Sequence, residues 1–161
     1  MSGVERWLKY FDKMQVRYSH SVHPVAQTAR KTALAERVPA HEFAKTVVYF
    51  NDGGFGIAVV PSDQFVDLTK VGRLLGSSFI RLASESELKD LFPNSELGAM
   101  PPFGDSCELP VVVDAGIAGD FIAFTVGTHH DVVRMSFADF QRLARPKVAA
   151  IAANLAVAEV A

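Results

Sequence analysis

A chain of 161 residues with 49% hydrophobic content and a mean hydropathy of +0.17 can bury one sizeable core, which excludes an intrinsically disordered protein. Its net charge of −2 excludes a protein that coats DNA or RNA by bulk phosphate neutralisation, although contact with one end of a nucleic acid stays open. The single Cys107 excludes an internal disulfide framework, no charged leader followed by an apolar run opens the chain, and no stretch approaches the roughly 18 apolar residues of a membrane span, so a cytoplasmic protein with no membrane partner is expected.

In chain order, residues 4–13 read as a short helix and residues 15–19 as a strand. Pro24 suits the first turn of a helix, with Val25, Ala29, Ala33 and Leu34 at helical spacing up to about Arg37, ahead of Pro39. Two strands, 43–50 and 55–60, flank Asn51-Asp52-Gly53-Gly54, a hairpin turn. Asp67 is placed to cap a helix that Gly76 stops, and a strand follows over 78–82. Ser84 and Glu87 have the spacing of a capping box and open a helix that ends before Pro93. A long loop then runs from Asn94 to about Leu109. Strands are expected over 110–114, 121–126 and 132–135, and Ser136 with Asp139 opens another capped helix, through Arg145. The alanine-rich residues 147–160 carry Val148, Ile151 and Leu155 on one stripe and read as a helical extension for docking or for a homodimer. The interleaving predicts a single α/β (α+β) domain over residues 1–161 with a mixed sheet.

Two features carry chemistry. Lys45 shares the strand face of Phe43, Val47 and Tyr49, where an ammonium group is costly unless it is paired, functional or able to reach water along its own stem. The loop Gly98-Ala99-Met100-Pro101-Pro102-Phe103-Gly104 is stiffened by two prolines and bounded by glycines. It offers carbonyl acceptors for an ammonium group or a water, or else is an ordinary proline-rich surface turn.

His129 and His130 follow Gly127 and Thr128 at a strand end, and adjacent residues on a strand face opposite sides. Without a third ligand at metal-like spacing, no metal site is read there. Asp114 could orient a ligand or cap the Ala115-Gly116 turn. The sequence lacks a Gly-x-Ser-x-Gly elbow and a phosphate loop, and Gly53-Gly54-Phe55-Gly56 lies in a hairpin, so neither a covalent serine nucleophile nor a nucleotide cofactor is expected.

Taken together, Tyr18-Ser19-His20, His23-Pro24, Ala44-Lys45-Thr46-Val47, residues 82–88, the 98–104 loop, Val113-Asp114, Gly127-Thr128-His129 and the 139–143 helix resemble the YbaK/prolyl-tRNA synthetase-associated editing domain family, over roughly residues 15–146. The resemblance implies a mixed, partly barrel-like sheet surrounded by helices, and a free-standing trans-editing deacylase that hydrolyses the ester of a small amino acid mischarged on tRNA. It implies catalytic roles for Lys45, Gly98 and Pro102, and substrate contacts from Met100, Pro101, Phe103, Asp114, Gly127 and His129 or His130. It also implies no cofactor or metal, the aminoacylated 3′ end of tRNA as partner, and an aminoacyl-tRNA synthetase as a further one. Arg30, Lys31 and Lys70 are candidates for phosphate contact or simply a solvated face. The alternative function is a non-catalytic module that binds aminoacyl-tRNA or a protein.

Overall fold

Ser2 accepts the Glu5 N–H through its hydroxyl at 3.1 Å and opens α1, Gly3–Lys13, whose Trp7 and Phe11 are buried. The computed structural model describes residues 2–23, 38–104 and 109–154. The helix expected after Pro24, together with Arg30, Lys31 and Cys107, lies outside the described residues. β1, Tyr18–Val22, begins three residues later than the sequence suggests. The residues after α1 are used to close it: the Met14 N–H donates to Tyr10 O and the Val16 N–H to Phe11 O, both at 3.0 Å, and Gln15 takes φ 59°.

β2 (Ala44–Asn51) and β3 (Gly54–Pro61) form the expected hairpin, with Asn51 opposite Gly54. Asn51 Oδ1 accepts the Gly53 N–H at 2.9 Å while its Nδ2 donates to Ser77 Oγ at 2.9 Å. A short β4, Phe65–Val66, precedes α2, Leu68–Leu75, which Asp67 caps and Gly76 ends in the left-handed region. β5, Ile80–Leu82, is shorter than expected because the Ser78 N–H and hydroxyl are taken by Asp52. α3, Glu85–Leu91, has the complete capping box of Ser84 and Glu87. β6 (Val111–Asp114), β7 (Phe121–Thr125) and β8 (Asp131–Ser136) follow, then α4, Phe137–Ala144, capped by Ser136.

The helical extension expected after Pro146 is replaced, as far as Ala153, by two strands. β9, Lys147–Ala149, runs parallel to β6, and β10, Ala152–Ala153, pairs antiparallel with β4. Alanine favours helix, but propensity is a weak prior, and the open edges of β6 and β4 supply backbone partners that decide the outcome. Residues 155–161 lie outside the described residues.

The fold is a mixed α/β arrangement. Five strands lie in the order β5-β2-β3-β6-β9 and three in the order β1-β8-β7. One parallel bridge, Phe43 to Ala123, joins these two sheets, and among the described residues they do not close into a barrel. The main core lies between them. Ala44, Val48, Ile57, Val59 and Val113 on one sheet meet Ile122, Phe124, Val133 and Met135 on the other, with Phe11 and Phe140 from α1 and α4. On the far face of the larger sheet Tyr49, Val60 and Val112 pack with Leu68 and Val71 of α2. Tyr49 is 1% exposed, and burial raises the pKa of its phenol.

Candidate active site

The bridge between Phe43 and Ala123 sets the position of Lys45. There the Ala123 N–H donates to Glu42 O at 2.9 Å, and β2 and β7 leave in the same direction. Two residues further along each strand, Lys45 and Thr125 project from the face that Phe43 and Ala123 share, because side chains alternate with period two. The intervening residues Ala44 and Phe124 face the main core. Lys45 is half-buried, and its Nζ stands 4.3 Å from the centroid of the Phe65 ring, a cation–π contact. Phe65 is held there by β4, which pairs it with Ala153 of β10.

Beyond Thr125 the chain enters the turn that carries Gly127 and His129, and the long loop is bound directly to it. The Glu96 N–H donates to Gly127 O at 2.7 Å, and the Gly127 N–H donates to Ala99 O at 2.8 Å. Glu96 Oε1 accepts the His129 N–H at 2.8 Å. The His129 ring closes the clamp at 2.8 Å from Leu97 O; a carbonyl only accepts, so Nε2 carries the proton there. Gly98 has φ 83°, and a Cβ on it would sit 3.2 Å from His129 Cε1. Both the backbone angle and the close approach of the imidazole therefore call for glycine.

The other end of the loop is anchored differently. Pro101 and Pro102 are buried, and Phe103, 5% exposed, stacks at 5.4–5.8 Å against Trp7, Phe11, Phe124 and Phe140. Met100 joins the same core. Phe103 and Met100 thus anchor the loop in the core. Asp114 likewise serves the backbone: it is 6% exposed, one oxygen accepts the N–H groups of Ile151 and Ala152 at 2.8 and 2.9 Å, and the other accepts the Gly116 N–H at 2.9 Å. The two histidines diverge. His130 Nδ1 donates to His23 O at 2.9 Å, away from the Glu96–Gly98 clamp. The turn between them is tightened by Thr128, whose hydroxyl accepts the N–H groups of His130 and Asp131, while Asp131 Oδ1 accepts from His20 Nε2 at 2.7 Å.

Gly98, Gly127 and His129 are therefore in one bonded unit, which the chain enters two residues after Thr125, and Lys45 lies on β2, the strand bridged to β7. The side-chain bonds and packing of His130, Asp114, Phe103 and Met100 are with His23, the backbone of Gly116 and of residues 151–152, and the core. Two residues were missed in the sequence. Thr125 is 8% exposed and is the lone hydroxyl in an apolar strand, a signal that could have been used. Glu96 acts across 33 positions in sequence and left no local signal. Among the described residues no group of three or more His, Cys, Asp or Glu is placed to hold a metal, and no helix is long and apolar enough to cross a membrane.

This architecture has relatives. Residues 23–143 match the model of the aminoacyl-tRNA editing domain family, and the chain belongs to that family. It is 30% identical over 81 residues to the proline–tRNA ligases of Bacillus mycoides (strain KBAB4) and Bacillus cereus (strain AH187), a match that spans 50% of this chain and 14% of either ligase. The crystal structure of a candidate trans-editing enzyme for prolyl tRNA synthetase superposes with a TM-score of 0.82 at 21% identity, over 94% of this chain and 97% of that one. The fold also recurs in a longer chain, a candidate signal transduction protein from Marinobacter aquaeolei VT8, with a TM-score of 0.67 at 16% identity over 90% of this chain and 30% of the other.

Proposed function

We propose that the protein is a trans-editing aminoacyl-tRNA deacylase, which hydrolyses the ester between a small amino acid and the terminal ribose of a mischarged tRNA. Water adds to the ester carbonyl, the bond from that carbon to the ribose oxygen breaks, the ribose oxygen takes one of the water's protons, and the amino acid leaves as its carboxylate while the other proton passes to solvent. The observation that carries this reading, within a chain of the editing family, is a half-buried ammonium on β2, the strand bridged to β7, whose end leads into the turn that clamps residues 96–99.

Lys45 supplies positive charge, either to the terminal phosphate or to the oxygen that becomes negative as water adds, and a preorganised charge in a partly dry site is effective there. The carbonyls of the 98–102 segment orient the water and the substrate amino group. Gly127 and His129 form the wall against the amino-acid side chain, and His130 stands behind it. Such a pocket selects mainly by exclusion, because a tight wall rejects large side chains better than it separates small ones. Work on charged tRNA places the protein in the cytoplasm alongside the synthetases.

The test is release of amino acid from Ala-, Ser-, Cys- and Pro-charged tRNA by the purified chain. Hydrolysis of at least one of them at substoichiometric enzyme is expected. Folded protein that hydrolyses none of them defeats the reading, and tight binding that protects the ester would identify a binding module in its place.

A further inference from the structure

We propose that His20 is a positioning residue for the amino-acid wall: through Asp131 and Thr128 it fixes the 127–131 turn, and with it the size of side chain the site admits. The proposal rests on the reading of Gly127 and His129 as that wall. In the antiparallel pair of β1 and β8, His20 stands opposite Val133, and Asp131 lies two residues away on the same face. That diagonal brings His20 Nε2 to Asp131 Oδ1 at 2.7 Å; an ionised carboxylate only accepts, so Nε2 carries the proton.

The second carboxylate oxygen, Oδ2, accepts the Thr128 hydroxyl. The same hydroxyl oxygen accepts the N–H groups of His130 and Asp131, both at 3.1 Å. A hydroxyl has one proton and two lone pairs, so its whole capacity is committed, and Asp131 sets the direction of the proton. The imidazole thus holds the carboxylate, the carboxylate aims the hydroxyl, and the hydroxyl gathers the two N–H groups that follow His129.

The turn is fastened from two sides. Toward the long loop, Gly127 and His129 bond to residues 96–99. Toward β1, His20 holds Asp131, and just past the strand the His23 N–H donates to His130 O at 3.0 Å while His130 Nδ1 donates to His23 O at 2.9 Å. This second link does not use the His20 side chain, so a His20 variant keeps the turn attached to β1 and loses only the bond that aims Thr128. The His20 and Asp131 side chains are 27% and 16% exposed. An ion pair this near water contributes little to stability, but a carboxylate relieved of its imidazole can turn outward, and a displacement of about 1 Å in a site is enough to change rates on the order of 10²-fold. Groups that support a site from behind therefore act on selectivity before they act on folding.

Three substitutions test the role. His20→Ala removes the bond, Thr128→Val removes the hydroxyl at nearly constant shape, and His20→Gln keeps an N–H donor near the place of Nε2. Discrimination is measured as kcat/KM for the best hydrolysed of Ala-, Ser-, Cys- and Pro-charged tRNA against that for Leu-charged tRNA. It should fall about tenfold or more in His20→Ala and Thr128→Val, the order of a pocket that no longer excludes, and return to within about threefold of the parent in His20→Gln. Melting temperature should stay within about 3 °C in all three. Amide hydrogen exchange needs no substrate: the N–H groups of Gly127 and His129, bonded to Ala99 O and Glu96 Oε1, should exchange about tenfold faster in His20→Ala and Thr128→Val and near the parent rate in His20→Gln. Unchanged exchange in folded His20→Ala or Thr128→Val, unchanged discrimination by either, or equal defects in His20→Gln and His20→Ala would each overturn the proposal. Hydrolysis of charged tRNA with exchange unchanged in the variants removes the relay and keeps the deacylase, whereas faster exchange in a chain that hydrolyses no charged tRNA keeps the relay to the turn and removes the deacylase.

Discussion

The hairpin between β2 and β3 and the long loop between α3 and β6 both reverse the chain, by opposite means. The hairpin is closed largely by itself, with Asn51 accepting from Gly53 two residues on and donating to nearby Ser77. Among its described residues the loop bonds to itself at one turn, Ala99 N–H to Glu96 O at 3.0 Å, and is otherwise fastened to other elements. One end is clamped by polar groups around Gly127 and His129, and the other is inserted through Phe103 into a socket of four rings. A self-closing turn can be altered with local consequences, whereas a loop fastened at two distant places transmits core damage to whatever it lines.

The socket is where the largest effect is expected. Phe103→Ala should lower stability by about 3–5 kcal/mol, as for other buried phenylalanines, and should also reduce deacylation at temperatures where the variant is still folded; chemical denaturation and activity measured together would separate this from a loss confined to stability. Lys45→Ala is the converse, chemistry without architecture. It should lose roughly 10²–10³ in kcat/KM, the order of removing one charge-stabilising group, while its melting temperature stays within about 2 °C; full activity would remove Lys45 from the site.

The clamp should give an intermediate effect. Gly98→Ala, strained at φ 83° and crowded by His129, should cost more than about 1 kcal/mol and raise KM more than it lowers kcat, read by steady-state kinetics beside thermal melting. In the hairpin, Asn51→Ala should cost about 1 kcal/mol and leave kcat/KM unchanged; an activity loss there would erase the contrast between the two turns. The smallest effect belongs to α3. Glu87, bonded to both Arg81 guanidinium nitrogens at 2.8 and 3.0 Å and to the Ser84 N–H, has its pKa lowered from 4.5 to about 2. A lowered carboxyl pKa contributes stability above its unfolded value and loses it as pH falls. Melting temperature should therefore decline slightly from pH 4.5 toward 2, and Glu87→Gln should flatten that decline.

The same contrast explains what the sequence made legible. The hairpin, the Ser84–Glu87 box, the Asp67 and Ser136 caps and the Gly76 stop are fixed by residues within a few positions of one another, and each is found where local chemistry puts it. Elements fixed by distant partners shifted. β1 takes its register from β8, with Tyr18 opposite Met135, and the alanine-rich segment became β9 and β10 because β6 and β4 had edges to fill. In the site, Lys45 was visible as a charge out of place in an alternating strand, and Gly98 as the start of a stiff loop. Glu96 was invisible because its partner lies 33 residues away, and the core packing of Phe103 was not read because the rings that receive it come from α1, β7 and α4.

Asp114 ties the N–H groups of Ile151 and Ala152, the strand that follows carries Ala153 alongside Phe65, and the Phe65 ring lies beneath the Lys45 ammonium. The last described residues thus act as a remote shim under the charged group. Replacing Ala153 by Gly, which keeps the Asp114 bonds to Ile151 and Ala152, should loosen β4 and blunt hydrolysis more than it lowers melting temperature, so residues remote from Lys45 in sequence govern how its ammonium is seated.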